Sequence, residues 1–371
     1  MATTYASVLA PDVILGVVDR VLGGLPSFHM PSGLLGGVTS RAVRDNVGRI
    51  IRSTGTQQTA KQGARGSASR SRTIDGVSDR PQVLIHSFEN MEVKFQTLMG
   101  LIQADEQTGN AMAQANGELA KTEFARIQRQ AATLSQNLRT AAVTSAFALG
   151  HIYFDGDGNL LPSSSGAAID IDYSIPSENL NQVNSIIDVT WATATTKIHK
   201  HVELIKAHAL KQSGRPLRHA IAGANILTYL LGNNYTKDLI FNNQNASGQV
   251  LQTGQVSFNW CGLTWWPGYY GFFRDNSGTA QSLIGDDAIV FLPEPSPDWY
   301  EMQEGLQPIP GNGFGDGMSF ADALAKTEYK QGVFQYLDGQ KDPMSGKLMY
   351  GDNFLPAIHV PEAVIIADVT P

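Results

Sequence analysis

The sequence predicts an α+β fold, with helices and strands interleaved and no regular βαβ alternation. Three features point there. Phe124, Ile127, Ala131, Leu134, Leu138, Ala141 and Ser145 step by three and four residues, and from about Glu118 no proline or glycine interrupts before Gly150. Between 169 and 175, "IDIDYSI" alternates strictly, with Ile169, Ile171, Tyr173 and Ile175 on one face and Asp170, Asp172 and Ser174 on the other. Further strand-like runs follow a second amphipathic helix without the spacing of strand–helix–strand units. At 371 residues and 42% hydrophobic content, the chain can bury a sizeable core in about two domains.

Taken in order, Ile14, Val17, Val18, Val21, Leu22 and Leu25 recur at helical spacing and predict an amphipathic N-terminal helix. Asp12 and Asp19 interrupt this stretch and no Lys or Arg precedes it, which argues against a secretory signal. From Gly23 to Arg80 the chain is rich in Gly, Ser, Thr and Arg and shows no period. Ordering such a segment costs about 1–2 kcal/mol per residue, more than its own apolar area can offset. It reads as a linker, a disordered arm or a loop ordered by neighbours. Its charge is distinctive. Residues 41–81, with "QQTAKQGARGSASRSRT" at 57–73, hold nine basic and three acidic residues, so the remainder of a chain of net charge −7 stands at −13. A basic segment on an acidic body suggests contact with a polyanion or with acidic faces of other subunits.

The long helix, about Glu118–Leu149, spans roughly 45 Å at 1.5 Å per residue. Gly150 sits where a left-handed cap belongs. Arg126, Arg129, Gln130, Gln136, Asn137 and Arg139 fill its polar face. Its seam is short and alanine-rich, which favours a helix lying across a sheet over a coiled coil. "HIYFDGDGNLL" then reads as strand, Asp-Gly turn, strand. A second helix covers Thr195–Gln212, with Ile198, Val202, Ile205 and Ala209 as its stripe and Gly214 and Pro216 as stop signals. Strands are expected in "GQVSFNWCGLTWWPGYYGFF", in "DDAIVFLPEP", around Ile358 and at Val364–Val369.

Residues able to carry chemistry do not assemble into a site. "DGDGN" (155–159) lacks the twelfth-position acid and flanking helices of a calcium loop. Asp170 and Asp172 have a spacing usable by an acid/base pair but read as a solvated strand face. His199, His201 and His208 lack i, i+3 or i+4 spacing among themselves and read as a solvated helix face. Cys261, the single cysteine, excludes an internal disulfide and reads as a buried, inert thiol in an apolar strand run. "GNGFGDG" (311–317) and "SGKL" (345–348) miss the nucleotide-loop patterns and read as loops. The aromatics of 258–273 read as core or subunit contact before any stacking platform. No catalytic, cofactor-binding or metal-ligating residue is predicted, and no apolar run reaches the length of a membrane helix.

The order of elements is informative. A basic arm and loop lead into one long helix ending "SAFALGHIYFDGDGNLL"; a helix then ends in "SGRPLRHAIAGANILTYLLGN". A Trp/Tyr strand region, "CGLTWWPGYYGFFRDNSGTAQSLIGDDAIVFLPEP", comes next, and "LPAIHVPEAVIIADV" closes the chain. Over about residues 118–371 this resembles the tailed-bacteriophage major capsid proteins of the lambda-like capsid protein E family. The resemblance implies the Hong Kong 97-like fold: an N-terminal arm (1–45), an E-loop region (46–96), a P-domain (97–222) with a spine helix at about 118–149, an A-domain (223–330) and a return to the P-domain (331–371). It implies a shell subunit, not an enzyme, and no cofactor. Expected partners are many copies of itself in hexamers and pentamers, portal, scaffold or decoration proteins, and packaged double-stranded DNA by non-specific proximity, with no membrane. The virion capsid, and the host cytoplasm during assembly, are the expected locations.

On that scheme the basic segment is a two-stranded loop reaching over a neighbour, with Arg65, Arg70, Arg72 and Arg80 as inter-subunit contacts; contact with DNA would also explain them. Two rival readings remain at this stage. One is a nucleic-acid-binding structural protein that uses residues 41–81 directly. The other is a carbohydrate-active enzyme that uses Asp170, Asp172 and the tryptophans.

Overall fold

The structure, a computed structural model, describes residues 40–43, 47–53, 77–93, 110–181, 183, 185–236, 257–266, 272–274, 278–310, 325–340 and 345–370. The expected N-terminal helix, Arg65, Arg70, Arg72 and "GNGFGDG" lie outside the described residues.

The described chain opens in the region that showed no period. β1 (Ser40–Val43) precedes β2 (Val47–Ser53), which pairs antiparallel with β3 (Val77–Val83), and β4 (Ile85–Val93) follows. The two paired strands lie where the resemblance places a two-stranded loop. α1 runs from Asn110 to Leu149, eight residues longer at its start than expected. It passes through Gly117, whose cost of about 1 kcal/mol within a helix forty residues long is readily outweighed. Gly150 ends it at φ 71°. β5 (His151–Phe154), β6 (Leu160–Leu161) and β7 (Ile169–Asp172) form a small sheet in the order β6-β5-β7. The Asp155 carboxylate accepts the N–H groups of Asp157 and Asn159, fixing the expected turn.

After β8 (Leu180–Asn181) comes α2 (Ile198–Ser213), whose predicted stripe is buried and whose C-cap is Gly214 at φ 70°. β9 (Leu217–Ala222), α3 (Ile226–Gly232), β10 (Phe258–Trp260), β11 (Leu263–Trp266), β12 (Phe272–Arg274) and β13 (Ala280–Ser282) follow. β14 (Ala288–Pro293), β15 (Tyr300–Pro310), β16 (Thr327–Gln331), β17 (Phe334–Gln340), β18 (Ser345–Ile358) and β19 (Ile365–Asp368) complete the order.

Two large sheets organise these strands. The first runs β1-β15-β18-β17, with β4 also on β18 and β16 on β15. The second runs β10-β11-β9-β14-β19-β8. Two cores result, the first shared by both sheets through Ile221, Val290 and Leu292. Ala141, Ala142, Ala146 and Phe147 of α1 pack with Tyr300, Phe354 and Ile358 of the first sheet, the small side chains letting the helix approach closely. Trp191, Ile198, Val202, Trp265, Phe291 and Ile365 fill the second.

Several local readings are overturned. "SGKL" is strand, not loop: β18 is paired on both sides, with β17 and β4. Gly346, Gly351 and Pro356 masked that strand in the sequence, yet Gly351 is needed there because a Cβ would overlap the Ser87 carbonyl oxygen. Cys261 is half-buried in the β10–β11 turn at φ 51°, beside Gly262 at φ 70°. Burial first, then Glu203, pushes its thiol up to about 11, which disfavours the thiolate. His201 and His208 are buried rather than solvated. Arg139 turns inward from the face assigned as polar, and Ile169 points out.

Candidate interface at the hairpin base

The β2–β3 hairpin is attached to the body along one edge and one face. β2 alternates in burial: Gly48 and Ile50 face inward while Val47, Arg49 and Ile51 face out. At Gly48 an added Cβ would stand 2.6 Å from Leu355 Cδ2 and 2.7 Å from Gln303 Oε1, so only glycine lets the strand lie this close. Ile50 enters the first core.

The edge of β2 is closed by side chains in place of a neighbouring strand. The Arg49 N–H donates to Gln303 Oε1 (2.8 Å), and Gln303 Nε2 donates back to the Arg49 carbonyl (2.7 Å). Because both backbone groups of Arg49 point outward, its opposite number, Pro81, needs no N–H for the ladder. One pleat further, the Ile51 N–H donates to His359 Nδ1 at 3.2 Å. His359 Nε2 lies 3.3 Å from Glu301 Oε1, which also accepts from Gln303 Nε2 (2.8 Å) and sits 3.8 Å from Arg41 Nη1. Arg52 grips Glu362 through both Nε and Nη2.

Of the four arginines expected to make contacts between subunits, only Arg80 is described. It is exposed on β3, and its Nη1 donates to Ser174 Oγ (2.6 Å) of its own chain. Ser174, at φ 52°, is held by Asp172, which accepts its N–H. The outward face of the hairpin mixes apolar and charged side chains. Val47 lies opposite Val83, which is 66% exposed, Ile51 is exposed four residues along β2 opposite Asp79, and Arg49 between them pairs across the face with Asp79 at 3.1 Å.

On the other side of the first sheet, α1 is clamped by charge. Arg139 donates through Nε and Nη2 to the two oxygens of Asp352 (2.8 and 2.7 Å) and through Nη1 to Glu304 (2.5 Å), above the Phe354 ring. Burial opposes the guanidinium charge, but Asp352 and Glu304 outweigh it and hold Arg139 above the usual arginine range.

The remaining candidates resolve into structural roles. His201 Nδ1 accepts the Trp191 indole N–H (3.1 Å), and its Nε2 lies 3.3 Å from Asp188. His208 Nε2 meets Asn179 Oδ1 at 2.8 Å, while Asn179 Nδ2 donates to the Glu362 and Val364 carbonyls. Burial lowers the pKa of both rings, favouring their neutral forms. Asp170 and Asp172 are half-exposed and face His151, with Asp170 at 2.8 Å from its Nδ1. Among the described residues no group of three His, Cys, Asp or Glu side chains is arranged to hold a metal ion. No described helix is long and apolar enough to cross a membrane.

The sequence did not disclose the ties of the hairpin. Gln303, His359 and Glu362 lie 254 to 310 positions from their β2 partners, and polar side chains spread through strands carry no local signature.

Residues 39–302 match the family model described as phage major capsid protein E. No curated relative matches the chain by sequence. Among solved structures, the capsid protein of a prophage from E. coli CFT073 superposes with a TM-score of 0.58 at 14% identity, covering 98% of this chain and 99% of that one. A phage-related protein from Bordetella bronchiseptica RB50 gives a TM-score of 0.49 at 10% identity, covering 95% and 96%.

Proposed function

We propose that this chain, which belongs to the phage major capsid protein E family, builds its shell by laying the β2–β3 hairpin on a neighbouring copy. Family membership makes it the major capsid protein of a tailed phage, with the Hong Kong 97-like fold and a structural rather than enzymatic task. In the proposed arrangement α1 is the spine helix of the P-domain and the hairpin is the base of the E-loop. Arg65, Arg70, Arg72 and Arg80 are the proposed contacts with the acidic body next door. Hexamers and pentamers of the chain then enclose double-stranded DNA in the host cytoplasm, with portal, scaffold or decoration proteins joining the shell. The net-acidic remainder of each subunit keeps the lining from trapping the genome.

One observation carries the hairpin's role: Val47, Ile51 and Val83 are exposed apolar side chains, interleaved with the Arg49–Asp79 pair, on a strand pair anchored from the opposite side. An apolar surface with a polar rim suits contact with another subunit, and many weak contacts of this kind add into a cooperative lattice. The test is the double substitution Ile51→Asp and Val83→Asp. Negative-stain microscopy is expected to show loss of shells and capsomers while circular dichroism stays that of the wild type. Normal shells from the variant would refute the assignment.

A further inference from the structure

The geometry points to His359 as a proton-sensitive latch on the hairpin base. Both ring nitrogens are engaged. Nδ1 takes the Ile51 N–H at 3.2 Å, a donor that by strand alternation points away from β3, while Nε2 faces Glu301 Oε1 at 3.3 Å. A ring nitrogen accepts a hydrogen bond only when it carries no proton, so this arrangement needs neutral imidazole with its hydrogen on Nε2. A second proton must go to Nδ1, where it meets the Ile51 N–H donor to donor. The imidazolium keeps its Nε2 hydrogen facing Glu301. Protonation thus leaves the ring facing β15 and releases its hold on β2.

The neighbouring charged groups have partners of their own. On β15, Glu301 Oε1 also lies 3.8 Å from Arg41 Nη1 of β1 and accepts from Gln303 Nε2 at 2.8 Å. In the turn after β18, Glu362 is taken up by Arg52 of β2. The backbone of His359 is fixed independently of its ring, since its N–H donates to the Trp299 carbonyl (2.7 Å). The residue therefore stays in place while its side chain changes allegiance. His201 is wired in the same way inside the second core, but both of its partners belong to the body. At His359 alone of the two does one partner belong to the hairpin. The latch is a property of the single subunit and goes beyond the shell-building role.

Hydrogen–deuterium exchange of the purified full-length chain tests it at about pH 8 and about pH 5.5, a span in which histidine titrates and most carboxylates stay ionised. After correction for the intrinsic rate, residues 47–53 are expected to lose protection about five- to tenfold at the lower pH, the size of one net hydrogen bond. The β17–β18 ladder is expected to stay protected. His359→Asn keeps an acceptor near the Nδ1 position without titrating, and should hold its protection at both pH values. His359→Gln removes both the Nδ1 acceptor and the titrating group, and should show the same protection of residues 47–53 at the two pH values. Equal wild-type protection at the two pH values, the same loss in His359→Asn, or a parallel loss in β17–β18 would each overturn the latch. Should His359→Asn fail to fold, a pH-dependent loss at residues 47–53 in His359→Gln overturns it as well.

Discussion

The long helix and the hairpin are tied to the same two strands by opposite means. Gln303 and Glu304 are neighbours on β15, and successive side chains of a strand point to opposite faces. Gln303 holds the β2 backbone and Glu304 holds Arg139 of α1. On β18, Leu355 lies under Gly48 of the hairpin while Asp352 and Phe354 meet Arg139. One face of the sheet therefore carries a buried clamp and the other a polar tether. In the clamp, Asp352 is fully buried, so its charge is stable only while Arg139 is present. In the tether, the ion pair to the body, Arg52–Glu362, is more open, with side chains 30% and 15% exposed. The helix side is specified by the chain itself, whereas the hairpin side leaves an apolar surface for something else to cover.

The largest effect that sharpens this contrast comes from the clamp. Arg139→Met strands Asp352 and Glu304 as buried, unpaired carboxylates, and is expected to lower unfolding free energy by about 3–5 kcal/mol in urea titration. Neutralising the partners as well, with Glu304→Gln and Asp352→Asn, should restore most of that loss, because the penalty lies in the orphaned charges. A triple variant as unstable as Arg139→Met would show that the clamp works through packing against Phe354 instead.

A middle-sized effect separates the two faces by steric means. Gly351→Ala puts a methyl against the Ser87 carbonyl and the Phe334 ring inside the sheet, and should cost the whole fold about 1–3 kcal/mol. Gly48→Ala presses on Leu355 and Gln303 from the hairpin side. The tether can yield where the sheet cannot. Gly48→Ala should therefore expose residues 47–53 to proteolysis or exchange while the urea midpoint of the body barely moves. Equal destabilisation by both variants would mean that hairpin and body form one cooperative unit.

The same asymmetry explains what could be read from the sequence. Period carried the helices: the α2 stripe and both glycine caps were legible because helix burial repeats every three or four residues. β14 and β19 were legible as apolar runs, since both faces of the second sheet's centre are covered. Of β18 only the end around Ile358 was legible, because two glycines and a proline stand in a strand that pairs with β4 from a distant segment as well as with β17 just before it. Arg139 was placed on the polar face because an arginine in an amphipathic helix ordinarily lies there; its carboxylate partners are 165 and 213 positions away. The composition of 23–80 suggested a segment unable to order itself, yet parts of it are strands, because Gln303, His359 and Leu355 supply the partners that the segment lacks. Only Arg80, among the arginines expected at the interface, stands within the described structure, and it rests on Ser174.

The smallest effect on stability is the most telling for the outward face. Arg49→Ala removes an ion pair at a solvent-exposed site, where side-chain entropy and screening cancel most of the Coulomb gain. Its backbone, which makes the bonds to Gln303, is untouched. Urea unfolding of the isolated chain should change by no more than about 0.5 kcal/mol. If a second subunit covers Val47, Ile51 and Val83, the same pair becomes desolvated there, and truncating one member strands the other in a low-dielectric contact. Shell yield, measured by sedimentation over a salt series, should then fall in Arg49→Ala far more than stability does, and should recover in part in Arg49→Ala with Asp79→Ala. Unchanged yield in both variants would mean that this face of the hairpin remains in water within the shell, and that the neighbour is gripped further along the loop.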